Sequence, residues 1–585
     1  MDPIKVDFTG KGKGSGGKKM VVIPPEKAVL KLIICLVGTA IAAALAFYIM
    51  LPPLNFKAAE LYYYIAVVIA CFIGLVFLTS KALTHPEYTP YVKRVSIPPL
   101  IIAGVLAVIV LVGMIISSVV FRAKDYSKLI SVNTNGKFNV DIAQTDFNTV
   151  PKLDEDAAAN LASRAMSGLA DSNLVSQFTV YPAYTQINYK STPVRVTTLK
   201  YANIIKWLTN RSEGLPGYII IDMANEDTNY YEVKEGIKFS PSEHFGRLLK
   251  RHLRFEYPSF MFANATFEID DNGKPYWICA RFDKKIGLFG GRDVIGAVLV
   301  DAVTGKTQYY TAEALKNDAS LQWIDRVYSS ELLIEQYNYY GKFSGGFFNS
   351  ILGQKNVIMS TEGYSYLALN DDVYLYTGVT SVTSDQSIIG FVLINQRTKE
   401  TIFYRVNGAK ETSAEETAEG LVKDYGFTST FPLLVNVSGE PTYFMSLKDA
   451  SNVVQRYAMI NVKQYNKVKA IGTSLGECLE NYIASMKANN VKVDDNIVIP
   501  DDNNGNNNPN ISEKTVTGVV DDIRSAVIDG ESYYYIRLAQ GESYYSIAAS
   551  DSETVIILNK GDNVKITYSS NETVIIPAVK IEIVK

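Results

Sequence analysis

The chain has 585 residues, 47% of them hydrophobic and 20% charged, which excludes a disordered, collagen-like or disulfide-stapled polypeptide and leaves room for several domains. The net charge of −3 hides an asymmetry: residues 1–124 hold 13 Lys and Arg against 5 Asp and Glu, leaving 44 against 55 for the rest. An acidic body on a basic head argues against a nucleic-acid-binding module, which concentrates basic residues against phosphate.

Residues 1–26 read as a Gly/Lys-rich tail. It contains a near-P-loop, Gly12 to Gly17 then Lys18, but Lys19 stands where a magnesium-binding Ser or Thr belongs and no strand precedes it, so nucleotide binding is not expected. Residues 27–122 read as an anchor. Three charge-free apolar runs, Leu32 to Leu51, Leu61 to Ser80 and Leu100 to Phe121, each have about the twenty residues needed to span a bilayer. Six lysines precede the first run, and Lys81, Lys93 and Arg94 separate the second from the third, while the first loop has only Lys57. The positive-inside bias predicts a cytoplasmic amino terminus and everything after about residue 122 outside the cell.

Gly38, Ala42 and Ala46 repeat at four-residue spacing, which predicts close helix packing in lipid. Tyr62, Tyr63 and Tyr64 match an interfacial belt. No Asp, Glu, Lys, Arg or His interrupts the apolar cores, so an anchor that also holds protomers together is expected rather than an ion path. Cys35 and Cys71 lie in spans, and Cys279 and Cys478 stand far apart in the body. Such sparing use of cysteine in an exported body suits a Gram-positive type of envelope, with a Cys279–Cys478 bond left open.

After a connector at 123–153, one strand recurs in four copies: Gly217 to Asp222, Gly296 to Asp301, Gly390 to Asn395 and, with Arg456 in the glycine's place, Arg456 to Asn461. A second signature, a turn followed by proline, appears at Pro193, Pro275 and Pro441 and is missing from the third copy. Internal repetition of this kind marks tandem modules, here expected at 154–240, 241–340, 341–410 (divergent) and 411–490. Asp271-Asn272-Gly273 and Thr304-Gly305-Lys306 predict tight hairpins, and the continuous apolar runs between turns predict short strands under a helix.

The helix opening the second module is predicted from Ser240 as N-cap, Pro241 at the first position and Glu243 completing a capping box, running to Phe255. Its apolar stripe is Phe245, Leu248, Leu249 and Leu253, and its opposite face carries Arg247, Lys250, Arg251 and Arg254. Ser413 and Glu416 predict the same device in the fourth module, with an acidic outer face at Glu415 and Glu419.

This succession, with Val300-Asp301-Ala302-Val303-Thr304-Gly305-Lys306, Tyr257-Pro258, Phe267-Glu268-Ile269-Asp270, Thr377-Gly378-Val379-Thr380-Ser381 and Phe431-Pro432-Leu433-Leu434, resembles PepSY modules in a Gram-positive family of multi-span membrane proteins. The resemblance implies peptide or protein binding outside the cell. Residues 491–513, rich in Asp and Asn, predict a linker; an EF-hand is not expected, because Pro500 stands five before Gly505. Residues 514–585 alternate as about five short strands and resemble an OB-fold. Seven Lys and Arg against ten Asp and Glu there disfavour nucleic acid, and Tyr533, Tyr534, Tyr535, Tyr544 and Tyr545 divide between core and outer face.

The chemical motifs are sparse. His85, His244 and His252 form no H-E-x-x-H, no G-x-S-x-G occurs, and Ser15-Gly-Gly-Lys18 lies in the tail. The carboxylate pairs Asp270-Asp271 and Asp371-Asp372 fall at turns, where Asp bonds locally. No catalytic, metal or cofactor site is expected. Two contact sites are: the stripe Arg247, Lys250, Arg251 and Arg254, and glycine-aromatic loops with Phe289, Gly290, Phe347 and Phe348. The expected fold is α+β: three transmembrane helices, tandem PepSY-like modules and an all-β OB-like barrel. The expected function is a non-catalytic scaffold or binding protein of the bacterial cell envelope, with the lipid bilayer and itself (a homo-oligomer) or other envelope proteins as partners, and neither nucleic acid nor nucleotide. Regulation of an extracytoplasmic protease or peptide is the alternative, and an enzyme with a site between modules the second.

Overall fold

In a computed structural model of the chain, three long apolar helices lead into an α+β body. The structure describes residues 4–5, 21–168, 174–381, 387–494, 497–500 and 514–584, the last stretch omitting 529–530, 540, 542, 550–551 and 569–574. The near-P-loop, the Ser15/Lys18 pair and the Asn-rich segment 501–513 lie outside the described residues.

Helices α1 (Ala28–Met50), α2 (Ala59–Ser80) and α3 (Thr89–Ile116) are each long and apolar enough to cross a membrane. The third begins eleven residues before the expected Leu100 and stops at Ile116, not Phe121. Ser118 is extended there (ψ 154°), and the chain re-enters a short helix, α4 (Val119–Tyr126). Gly38 lies against Leu75 of α2, where a Cβ would stand 3.2 Å from the leucine. Buried Cys35 bonds Thr79 of α2 at 3.1 Å on the same side. The small-residue row therefore starts on the α1–α2 contact within one chain, with Ala42 and Ala46 half-buried along it.

The body repeats one sheet four times. In each, two short strands lie end to end along a long third strand, which pairs antiparallel with a fourth and that with a fifth. The long strands are Thr192–Tyr201, Pro275–Ile286, Asp372–Ser381 and Glu440–Lys448. The third copy has the same plan and gains a parallel sixth strand, Val132–Gly136. Its proline is absent because the carbonyl at that position does the work: Pro193, Pro275, Val373 and Pro441 each accept the N–H of Met223, Ala302, Gln396 or Val462, at 3.0–3.1 Å. Turns before the first, third and fourth long strands place two residues at positive φ (Lys190-Ser191, Asn370-Asp371, Ser438-Gly439), as two-residue hairpins require.

The recurring Asp or Asn closes the fourth strand of every copy with an Asx turn: Asp222, Asp301, Asn395 and Asn461 each accept the N–H groups two and three residues on. The preceding glycine makes room for an aromatic on the fifth strand; a Cβ on Gly296 would stand 2.3 Å from the Tyr310 carbonyl and 2.7 Å from the Tyr309 hydroxyl.

Helices α5 (Glu155–Gly168), α6 (Leu249–Glu256), α7 (Ser330–Phe343) and α8 (Glu411–Leu421) precede the four sheets, and α9 (Leu475–Ala488) follows the last. The third repeat thus opens at Ser330, ahead of the expected 341. Sheet faces are covered on both sides, not one. Trp277, Cys279, Val298 and Val300 enter a core shared with the first sheet, whereas Ile278, Ala280, Ala297 and Leu299 enter one shared with α7 and the third sheet. Two-sided burial explains why the strands read as continuous apolar runs. Cys279 and Cys478 are free and occupy separate cores.

Both predicted capping boxes are absent. A 3₁₀ turn, Phe245–Arg247, separates Ser240 from α6, which starts at Leu249. Phe245 is exposed. Buried Glu243 instead accepts from Tyr201 Oη (2.6 Å) and Trp207 Nε1 (2.8 Å) of the first repeat. Helix α8 starts at Glu411, so Ser413 lies inside it.

The last strands, Lys514–Ile528, Glu531–Leu538, Tyr544–Ala548, Asn563–Tyr568 and Ile575–Ile583, pair in a ring in the order first, second, third, fifth, fourth, with the third and fifth parallel. Tyr545 is buried against Tyr568, while Tyr544 is half-buried and donates to Asp522 at 2.6 Å.

Candidate functional site: the membrane-facing base of the body

Helix α1 ends without a basic residue in its last turn, leaving carbonyl oxygens and the negative end of its dipole unanswered by its own sequence. The body supplies the cations. Arg251 lies over the Tyr48 ring, 4.1 Å from its centroid, and donates from Nε to the Tyr48 carbonyl at 3.3 Å. Arg254, only 5% exposed, donates to the carbonyls of Leu51 (3.1 Å), Tyr257 (3.3 Å), Pro258 (3.0 Å) and Phe260 (2.7 Å). Burial pulls its guanidinium down to about 10, with Glu60 acting the other way. Phe255 packs edge-on against Phe47.

The basic stripe, expected as a contact site on one helix face, is therefore divided. Arg247 belongs to the 3₁₀ turn and donates to the Arg211 carbonyl, Arg251 and Arg254 hold α1, and only Lys250 remains exposed. Beside it, Leu54 N donates to the Pro258 carbonyl (2.8 Å) and Asn55 Nδ2 to that of Ser259 (3.2 Å). Lys57 Nζ bonds both carboxylate oxygens of Asp283 (3.1 and 2.9 Å) and the Lys284 carbonyl (2.7 Å).

The first glycine-aromatic loop docks on α3. Ser117 Oγ accepts from Leu288 N (2.9 Å) and Phe289 N (3.1 Å), and its carbonyl accepts from Tyr126 Oη (2.7 Å). The Phe289 ring meets Tyr62 at 5.8 Å and lies where a Cβ on Gly113 would come within 2.8 Å. Gly290 leaves no room for a side chain, with the Tyr126 hydroxyl 2.3 Å from its ideal Cβ. In the second loop Phe347 packs on the cluster of Ala123, Tyr126, Ile286 and Phe343, whereas Phe348 is 74% exposed beside exposed Ile351 and Leu352. Thus Arg251, Arg254, Phe289 and Gly290 meet at one interface within the chain, Phe347 packs beside it, and Lys250 and Phe348 stay outside.

A second constellation carries no local sequence signal. Glu268 and Asp325 are both buried where the first three repeats meet. Glu268 accepts from the backbone N–H groups of Asp325 (2.9 Å) and Arg326 (3.0 Å), and Asp325 Oδ2 from Asn188 N (2.6 Å). Asp325 Oδ1 is buried without a hydrogen bond. Burial pushes Glu268 up to about 7, and burial plus the Glu268 charge raises Asp325 well above the carboxylate range. Nearby, Asp372 holds Arg397 in a buried two-bond pair at 2.6 and 2.7 Å. Asp371 accepts from Asn188 Nδ2 at 2.9 Å, so this Asp-Asp pair joins repeats instead of merely closing a turn.

No family model matches the sequence, and no curated protein matches it at a significant level.

Proposed function

We propose that this chain is a non-catalytic, membrane-anchored scaffold of a bacterial cell envelope, holding an array of four PepSY-like modules and an OB-like barrel against the outer face of the bilayer. The observation that carries this reading is the base itself: cations, a carboxylate, loop amides and aromatics of the body are committed to the ends of α1, α2 and α3, fixing the body relative to the bilayer. Shared cores between successive sheets extend that fixity along the array. The repeated helix-plus-sheet plan supports the PepSY resemblance, and the first-second-third-fifth-fourth strand order supports the OB-like one. The lysine distribution supports a cytoplasmic amino terminus.

Because the stripe and the first loop are used internally, self-association or capture of another envelope protein falls to other surfaces. Cross-linking of the tagged full-length chain in intact cells, followed by native sizing and mass spectrometry, tests the reading. Trapping itself or several structural envelope proteins in fixed stoichiometry is expected. Trapping a single protease whose activity changes when the chain is removed would replace the scaffold with a regulator, and hydrolytic or transferase activity in the purified chain would overturn both.

A further inference from the structure

At their far end the membrane helices close up: Cys35, Val76, Ala82 and Val92 form a buried cluster joined by Phe72 and Leu75. Toward the body, α2 and α3 leave a cavity of about 680 Å³, within the range of about 300–1,000 Å³ typical of small-molecule sites. Its membrane-side wall is apolar and partly made of small residues, including Ala66, Ala103, Ala107 and Val110. Its upper end is polar, lined by Lys57, Glu60, Lys284 and Arg292.

These charges are not equally available. Lys57 is held by Asp283, and Arg292 lies 3.6 Å from Glu335. The Lys284 ammonium makes no hydrogen bond or ion pair among the described residues, and burial together with the Arg292 charge holds it below an ordinary lysine, against weaker opposing pulls from Glu335 and Glu60. Helix α2 also begins at this end, without a side-chain cap and with Glu60 in its first turn. An apolar slot between two long apolar helices, closed above by a lysine ammonium that bonds no carboxylate although Glu60 lines the same end, is complementary to an amphipathic anion.

We propose that the groove between α2 and α3 holds a chain of an anionic membrane lipid, with its phosphate against Lys284 and Arg292. A free phosphate would satisfy the cations but leave the apolar slot empty, and a zwitterionic lipid would fill the slot but bring its own cation to Lys284. The headgroup then bridges anchor and body, since Lys284 and Arg292 belong to the second sheet and the slot to the helices.

The proposal rests on the membrane reading. The test is native mass spectrometry of the full-length chain in neutral detergent, titrated with phosphatidylglycerol or phosphatidylcholine. The wild type is expected to retain one phosphatidylglycerol per chain in preference to phosphatidylcholine. Lys284→Gln should reduce that preference about fivefold, the value of one cation near an anionic headgroup, without weakening phosphatidylcholine. Ala107→Phe should reduce retention of both lipids; should it misfold, Lys284→Gln decides. Equal retention of the two lipids by the wild type, no change in Lys284→Gln, displacement by inorganic phosphate, or a lipid-free dimer filling the groove would each overturn the site. Release of the chain from membranes by alkaline carbonate without detergent would instead overturn the membrane reading beneath it.

Discussion

Replacing Arg254 with methionine tests whether the body is clamped to the anchor. Methionine keeps an unbranched apolar stem, so the change removes chiefly the guanidinium. Four carbonyls lose a donor. Those of Tyr257 and Pro258 keep another, from Phe260 N and Leu54 N, but those of Leu51 and Phe260 keep none among the described residues. A buried group left unpaired costs about 1–3 kcal/mol. Two of them, less the cost of burying a charge that methionine does not carry, give a loss of about 2–4 kcal/mol. The loss falls on the contact between α1 and α6, so the reporter is the Leu54 amide, which is bonded across it to Pro258 at 2.8 Å. Hydrogen exchange of the full-length chain in detergent should show Leu54 opening roughly 30- to 1,000-fold more often in Arg254→Met. Lys250→Met, an exposed position on the same helix, should leave it unchanged. Unaltered Leu54 protection and unaltered melting in Arg254→Met would refute the clamp.

Other outcomes follow from the interior. Glu268 and Asp325 have raised pKa values, so above about pH 4 the folded chain binds more protons than the unfolded one; their contribution to stability is full below that pH and is lost as pH climbs through about 7 for Glu268. Asp325→Asn should remove part of that slope, of up to about 1.4 kcal/mol per pH unit, in denaturant titrations at pH 5 and 8; an unchanged slope would show that Asp325 is ionised in the fold, against the opposing charges of Glu268, Asp371 and Asp372. Gly296→Ala should destabilise by about 1–3 kcal/mol, because its Cβ meets the backbone of the neighbouring strand; a wild-type melting curve would contradict that. Burial pushes both the Cys279 and Cys478 thiols upward, so thiol reagents should modify them only with global unfolding, and a reductant should leave melting unchanged. Modification in the native state would place at least one of them outside its core.

What could be read from the sequence was whatever local chemistry determines. The three spans follow from uninterrupted apolar length, and the four repeated strands from an Asp or Asn whose Asx turn is built within three residues. Two of the failures share one cause, a partner distant in sequence. Ser240 and Glu243 have the spacing of a capping box, but the Glu243 carboxylate is taken by Tyr201 and Trp207 of the preceding repeat. Arg254 has the spacing of the face opposite the apolar stripe, but its partner Leu51 lies 203 residues earlier. The third repeat reads as divergent because it lacks the proline, whereas the part of the geometry common to all four repeats is a carbonyl that Val373 provides equally well.

The same reasoning separates the two glycine-aromatic loops, which the sequence presents as equals. Phe289 is drawn down by two backbone amides fixed on Ser117, so its ring is spent on Tyr62 and on the open side of Gly113. Phe348 has no such anchor, and with Ile351 and Leu352 it stays exposed next to α4, whose Val120 and Phe121 are exposed as well. Exposed apolar residues on both elements follow a helix long and apolar enough to span a bilayer, and on the proposed membrane reading an interfacial layer would cover them, where burying each methylene is worth about 0.8 kcal/mol. On the membrane-anchored scaffold reading proposed above, the second loop would rest on the bilayer, and the sheet array and the terminal strands would be the surfaces left for neighbours.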